Sequence, residues 1–322
     1  MTTDTIPDRI ERARRGVGPG GQGPRPGKRG SPLARAGTTL LLFALPSLVL
    51  LVLLNFFPVV YSFLQSLQQG TPSTLPWETP FVGFQNYIDV VGASEFRAAA
   101  IFTVIFTVVG VFGSWIVGLL LALLLRTRIP GGGVFKVLLL LPWIVPVVVS
   151  ATSWNFLVAT PQSPGPIILQ ALGFGDVNFL GDPVLAQIVV CIFKVWISFP
   201  FMMMMMAAAL ESVDNNVYEA SRVDGASKWK TLTNITLPMI SRSTYISWIL
   251  MTIFCVNDFT TIFLLTGGGP VNATQSLVVL AYNTVFLNFD TGPGVAVAFL
   301  MTLVLIIISV VLFRQIRKVQ IL

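Results

Sequence analysis

Between Arg35 and Glu78 the chain carries no charged residue, and uncharged stretches recur at 98–125, 137–175, 195–210, 243–257, 259–289 and 291–313. A helix needs about 20 consecutive apolar residues to cross a bilayer, and several of these stretches exceed that length. Charged residues make up 11% of the 322 and hydrophobic ones 54%, against about 25% charged in an ordinary soluble domain. Mean hydropathy is +0.80. The sequence therefore predicts an all-α membrane protein of several spans.

Six spans are expected, at 39–65, 98–125, 134–158, a fourth ending at 210, 244–266 and 293–313. Pro142 and Pro146 are kink sites in the third, and Asn257-Asp258 breaks the fifth. Residues 1–37 form a basic, Gly/Pro-rich arm that lacks the apolar residues to fold on its own, which leaves 38–322 as the membrane domain. With the N-terminus inside, 18 of the 20 Lys and Arg fall on inside segments. Arg97 alone lies in an outside loop, among Glu78, Asp89, Glu95, Asp176, Asp182 and Asp290. This is the positive-inside pattern, with both termini cytoplasmic. The arm is long for a cleavable signal, and no small-residue cleavage site follows the first span. Its basic residues set topology or meet anionic membrane lipids.

Composition removes several function classes. There is no histidine, so imidazole-based acid–base, metal and triad chemistry is excluded. Cys191 and Cys255 both lie in apolar runs and have no metal-ligand spacing. Gly27-Lys28 fails the phosphate-loop pattern, with Gln22 and Arg29 where Gly and Ser or Thr are needed. The net charge of +6 is used up by topology and implies no nucleic acid. No cofactor is expected.

The polar stretch 211–242 is set between long apolar runs. It reads as two short helices broken at Asp224-Gly225. Asn216 is placed to cap the first, with Glu219 at its third position. Gly225 supplies the turn, Ser227 caps the second helix, and Pro238 limits it.

Glu219-Ala220-Ser221, then Gly225 and Ile235-Thr236-Leu237-Pro238, resembles the cytoplasmic EAA loop of ABC importer permeases, with Ser221 in place of the second Ala. Phe81-Val82-Gly83-Phe84-Gln85-Asn86-Tyr87 is similar to the segment that follows the first span in the carbohydrate-type members. Phe259 to Pro270, ending in Leu-Thr-Gly-Gly-Gly-Pro, resembles the end of their fifth span. The resemblance covers roughly residues 39 to 318. It implies a type I importer-like permease, without catalysis of its own, in a bacterial or archaeal cytoplasmic membrane. Its partners would be two ABC ATPase subunits, which bind the ATP, a second similar permease subunit and an extracytoplasmic solute-binding protein. Glu219, Ala220, Ser221, Asp224, Gly225, Ile235, Leu237 and Pro238 would form the ATPase-coupling element.

Charges inside spans mark functional candidates. Asp258 sits beside Asn257, Thr260 and Thr261, enough donors and acceptors for the hydroxyls of a carbohydrate; a structural bond to a neighbouring helix would equally explain it. Lys194 snorkels if its span begins near Cys191 and is buried and paired if it begins near Val184. Trp196 is expected to anchor at the membrane interface, or else to stack on a sugar ring. The rival reading is an ion-coupled secondary transporter relaying through Asp258 and Lys194, with no use for the EAA spacing.

Overall fold

The structure, a computed structural model, describes residues 43–126 and 130–319; the basic arm lies outside the described residues. In chain order the helices are α1 (Phe43–Ser66), α2 (Gln85–Gly92), α3 (Ser94–Leu125), α4 (Gly132–Ile144), α5 (Val147–Val158) and α6 (Pro164–Ala171). They continue with α7 (Pro183–Glu211), α8 (Asn215–Val223), α9 (Lys228–Met239), α10 (Ser241–Val256), α11 (Phe259–Thr266), α12 (Leu277–Leu287) and α13 (Thr291–Val319). Among the described residues the fold is all-helical, apart from one isolated bridge between Gln68 and Phe81.

Four of these helices, α1, α3, α7 and α13, are long and apolar enough to cross a membrane, and two bent pairs raise the number to as many as six when each pair is counted as one span. The third span departs from expectation. It is a break of 91° between α4 and α5 rather than a kinked helix. Pro142 stays inside α4. Pro146 makes the break, because Val145 before it is held extended, with ψ 132°. The second pair, α9 and α10, bends by 68° at Ile240. Beyond α10 the fifth span breaks at Asn257-Asp258, as the sequence predicts, and resumes as α11.

The chain divides into two units, through Val59 and from Val60 on, and the packing that follows is that of the second. The spine is α3 against α7. At Gly118 the two backbones come so close that a Cβ would lie 2.6 Å from the Met203 amide nitrogen. Met202, Met203 and Met206 are buried in two apolar clusters with Phe102, Phe106, Phe193, Leu119 and Leu210. These three methionines are therefore packing material, the role for which their pliable side chains suit them.

The segment after the first span works as a staple. Asn86 Nδ2 donates to the carbonyls of Ser66 at 2.8 Å and Gln68 at 2.9 Å, and the Tyr87 and Ser66 hydroxyls bond at 2.7 Å. The last carbonyls of a helix have no intrahelical donor, and Asn86 supplies one. Gly292, opening α13, leaves room for this contact: a Cβ there would collide with the Gln68 carbonyl oxygen.

Candidate functional site

Two of the helix breaks, at Val145–Pro146 and at Asn257-Asp258, meet at one cavity of about 640 Å³. Its walls are the α4–α5 corner from Trp143 to Val147, one face of α7 at Lys194, Ile197 and Ser198, and the fifth span from Met251 to Thr261. The break in the fifth span is satisfied locally. Asn257 Nδ2 donates back to the Ile253 carbonyl at 2.9 Å, and Asp258 Oδ1 accepts the Thr261 amide at 3.0 Å, capping α11. A carboxylate at a helix N-terminus also meets the positive end of the helix dipole.

The other oxygen of Asp258 accepts Lys194 Nζ at 2.6 Å, with side-chain exposures of 11% and 7%. The helix bearing Lys194 starts at Pro183, so the lysine lies about three turns inside. That settles the two sequence alternatives in favour of burial and pairing. A π-helical turn of α3, Val109–Gly113, faces the pair. Its Gly110 leaves space for the lysine stem and for Cys255, since a Cβ would lie 3.1 Å from Lys194 Cγ and 2.8 Å from Cys255 Sγ. The ammonium also stands 5.8 Å from the Phe106 ring centre, within cation–π range. The pair carries no net charge, so it adds polar groups to a mostly apolar cavity wall while leaving that wall neutral.

Aromatic rings line the remaining approaches. Trp143 stacks on Phe201 at 5.3 Å, and Phe254 meets Phe201 at 5.8 Å. Phe259 stacks on Phe263 at 4.7 Å, with Tyr282 against both. Beyond α11, the loop after Gly267 folds down into the protein. Thr266 and Thr274 hydroxyls bond at 2.7 Å, Asn155 reaches the Leu265 carbonyl at 3.0 Å and Gln187 that of Ala273 at 2.6 Å.

The structure thus gathers Asn257, Asp258 and Thr261 on one cavity with Lys194. Trp196 is not on that wall. It packs against Trp154 at 5.6 Å and Phe193 at 5.8 Å, in the core and away from a helix end, because the span begins well before it. The corner at Val145–Pro146 was visible in the sequence only as two prolines.

The stretch 211–242 forms a helical hairpin, α8 and α9. The first helix is capped by Asp214, not Asn216: Asp214 Oδ1 accepts the Asn216 amide at 2.9 Å. Asp214 stands one residue before the helical start, the capping position, whereas Asn216 lies inside the helix. Glu219 therefore has no capping role; it is exposed and lies 3.9 Å from Arg222. Asp224 ends α8, Gly225 turns the chain at φ +70°, and Ser227 caps α9 through the Lys230 amide at 3.3 Å. Ser221, the departure from Glu-Ala-Ala, is buried and bonds the Thr231 hydroxyl at 2.9 Å, tying α8 to α9. Ala220 is exposed, Ile235 and Leu237 are half-buried, and Pro238 is exposed within α9. Val223 at 87% and Trp229 at 72% exposure project from the hairpin, an arrangement suited to burial against another protein.

Sequence comparison matches residues 26–320 to the family described as binding-protein-dependent transport system inner membrane component. The trehalose/maltose transport system permease protein MalF of Thermococcus litoralis is 36% identical over 86% of this chain and 92% of its own. The trehalose transport system permease protein SugA of Mycobacterium tuberculosis is 31% identical over 85% of this chain and 86% of its own. Among solved structures, a bacterial alginate ABC transporter in complex with an alginate pentasaccharide-bound periplasmic protein has a chain of the same fold. It superposes with TM-score 0.75 at 18% identity, over 88% of this chain and 96% of that one. The chain belongs to the binding-protein-dependent transport system inner membrane components, as a permease subunit of an ABC importer and not an enzyme.

Proposed function

We propose that the chain forms part of the translocation pathway for an uncharged, hydroxyl-rich solute of carbohydrate type, delivered by an extracytoplasmic binding protein. The observation that carries this reading is the cavity where the breaks at Val145–Pro146 and Asn257-Asp258 meet. It combines amide, hydroxyl and paired ionic groups with aromatic rings at its edge and has no net charge. That is the chemistry a neutral polyol needs: donors and acceptors for hydroxyls and flat apolar faces for its C–H surfaces. The relatives named for trehalose and maltose transport support the same class.

In the assembled importer a second, similar permease subunit completes the pathway, and two ATPase subunits dock, one on the coupling hairpin of each permease. Exposed Glu219, Val223 and Trp229 offer the docking face, while Ser221–Thr231 and the Gly225 turn hold the hairpin as one lever. ATP binds to the partners. Each state of the ATPase dimer favours one permease conformation, and coupling needs nothing more than that difference. The complex sits in a bacterial or archaeal cytoplasmic membrane with both termini of this chain inside.

The test is purification from native membrane in mild detergent, reconstitution, and uptake of labelled disaccharides. ATP-dependent uptake that requires the co-purifying binding protein is the expected result. Uptake driven by an ion gradient, and unchanged when ATP is withheld, would favour the secondary transporter and sink this reading.

A further inference from the structure

A second cavity, of about 450 Å³, opens at the end of the spans that bears the α8–α9 hairpin. Its inner wall is apolar, built from Ala122 and Leu125 of α3 and Ala207 and Leu210 of α7. Its rim is polar: Arg126 closing α3, Lys136 in the first turns of α4, Glu211 closing α7 and Asn215 opening α8. Among the described residues, neither cation nor Glu211 forms an ion pair. One guanidinium N–H of Arg126 reaches Asn215 Oδ1 at 3.1 Å, out of five such donors. Gly132 and Gly133 lie on the same rim, and the first amides of a helix have no intrahelical acceptor.

We propose that this cavity seats the phosphodiester headgroup of a membrane phospholipid. Arg126 and Lys136 hold the phosphate, and Glu211 receives N–H or O–H donors of the headgroup. Charge complementarity requires an anion, and the polarity profile selects the lipid over a free phosphate. A soluble anion would turn half of its hydration shell against the apolar wall, whereas a glycerolipid presents its own apolar part there. The acyl chains have a continuous path. Val134, Phe135, Val137 and Leu138 of α4 are each more than half exposed, and they run from the rim toward the middle of the span. Basic pockets between membrane helices on the cytoplasmic side are suited to such headgroups.

Occupancy reaches the coupling element through Arg126. Its guanidinium stacks 4.4 Å over the Tyr218 ring while bonding Asn215, so it touches the first and second turns of α8. A phosphate on Arg126 fixes that side chain, and with it the angle at which α8 leaves α7.

The experiment measures lipid retention by native mass spectrometry of the assembled complex. The complex is delipidated and reloaded from vesicles of phosphatidylglycerol and phosphatidylethanolamine. Lys136→Glu is the principal variant, because the Lys136 side chain is exposed. It should lower phospholipid retention by at least about fivefold, the weight of one basic residue at a lipid surface, and Lys136→Arg should restore it. Inorganic phosphate should not compete. Equal retention by Lys136→Glu and the parent would overturn the proposal. So would displacement by inorganic phosphate, which would make this a soluble-anion site, or crosslinking of position 136 to a partner subunit filling the cavity. These outcomes are read without transport and so stand apart from the choice of solute.

Discussion

Lys194 of α7 donates to Asp258 at the head of α11 at 2.6 Å, with both side chains about nine-tenths buried. The contact ties the fourth span to the break in the fifth, and the two residues depend on each other. Removing one partner of a buried pair strands a charge and costs roughly 3–5 kcal/mol, while replacing both is often neutral. Lys194→Met should therefore reduce the yield of assembled complex sharply. Asp258→Asn should do so less, because the lysine keeps an amide oxygen to bond. The double variant Lys194→Met/Asp258→Asn should recover assembly, as judged by size-exclusion profile and ATPase activity. If the double variant assembles no better than Lys194→Met alone, the pair is not the reason for the defect.

Gly225 turns the hairpin at φ +70°, and a Cβ added there would meet nothing within 4 Å, so any penalty at this position is conformational. The left-handed region costs an ordinary L-residue roughly 1–2 kcal/mol, a β-branched one more, and asparagine less. The series Gly225→Asn, Ala, Val should thus lose ATPase-coupled uptake in that order while membrane insertion stays constant. Parent-level uptake by Gly225→Val would show that the hairpin transmits motion without this turn.

The sequence announced the spans and the hairpin because both rest on local physics. Uncharged runs must leave water, and the Gly225 turn and the Ser227 cap follow from single residues. It could not announce contacts between distant positions. Lys194 reads ambiguously until the start of α7 at Pro183 is known, and its pairing with Asp258 spans 64 positions. Pro142 and Pro146 both looked like kinks. Which of them breaks the helix depends on whether the preceding residue is free to become extended, and Val145 is. The capping box at Asn216 was misplaced because the helix starts earlier: Asp214 accepts the Asn216 amide itself, which puts Asn216 inside α8.

Phe81 to Tyr87 carries in sequence only its resemblance to the segment after the first span, and its working member is Asn86, 5% exposed and donating to two carbonyls at the end of α1. Asn86→Asp keeps the shape and withdraws both N–H donors, setting a carboxylate against carbonyl oxygens. Each lost bond to a buried acceptor costs roughly 1–3 kcal/mol, so detergent-solubilised complex should unfold several degrees lower in a thermal-shift assay. Asn86→Gln, longer by one methylene, should fall between. A parent-like melting temperature for Asn86→Asp would remove the staple from the account.

Gly118 offers the most stringent check on the packing of α3 against α7. Its missing side chain faces the Met203 amide nitrogen at 2.6 Å and the Met202 carbonyl carbon at 2.8 Å. These are backbone atoms, which cannot swing aside as a side-chain tip would. Small residues let membrane helices approach closely, and van der Waals contact is what holds them there. Even Gly118→Ala must push the helices apart by several tenths of an ångström, and Gly118→Leu by far more. The displacement passes along α7 toward Lys194 in one direction and Glu211 in the other. Gly118→Ala should thus lower both the melting temperature and solute-stimulated ATPase activity, and Gly118→Leu should give no monodisperse complex. Gly92→Ala is the matched control, because a Cβ at Gly92 meets nothing within 4 Å. Should Gly118→Ala behave like that control, α3 and α7 do not approach each other as closely as the Gly118 contacts require.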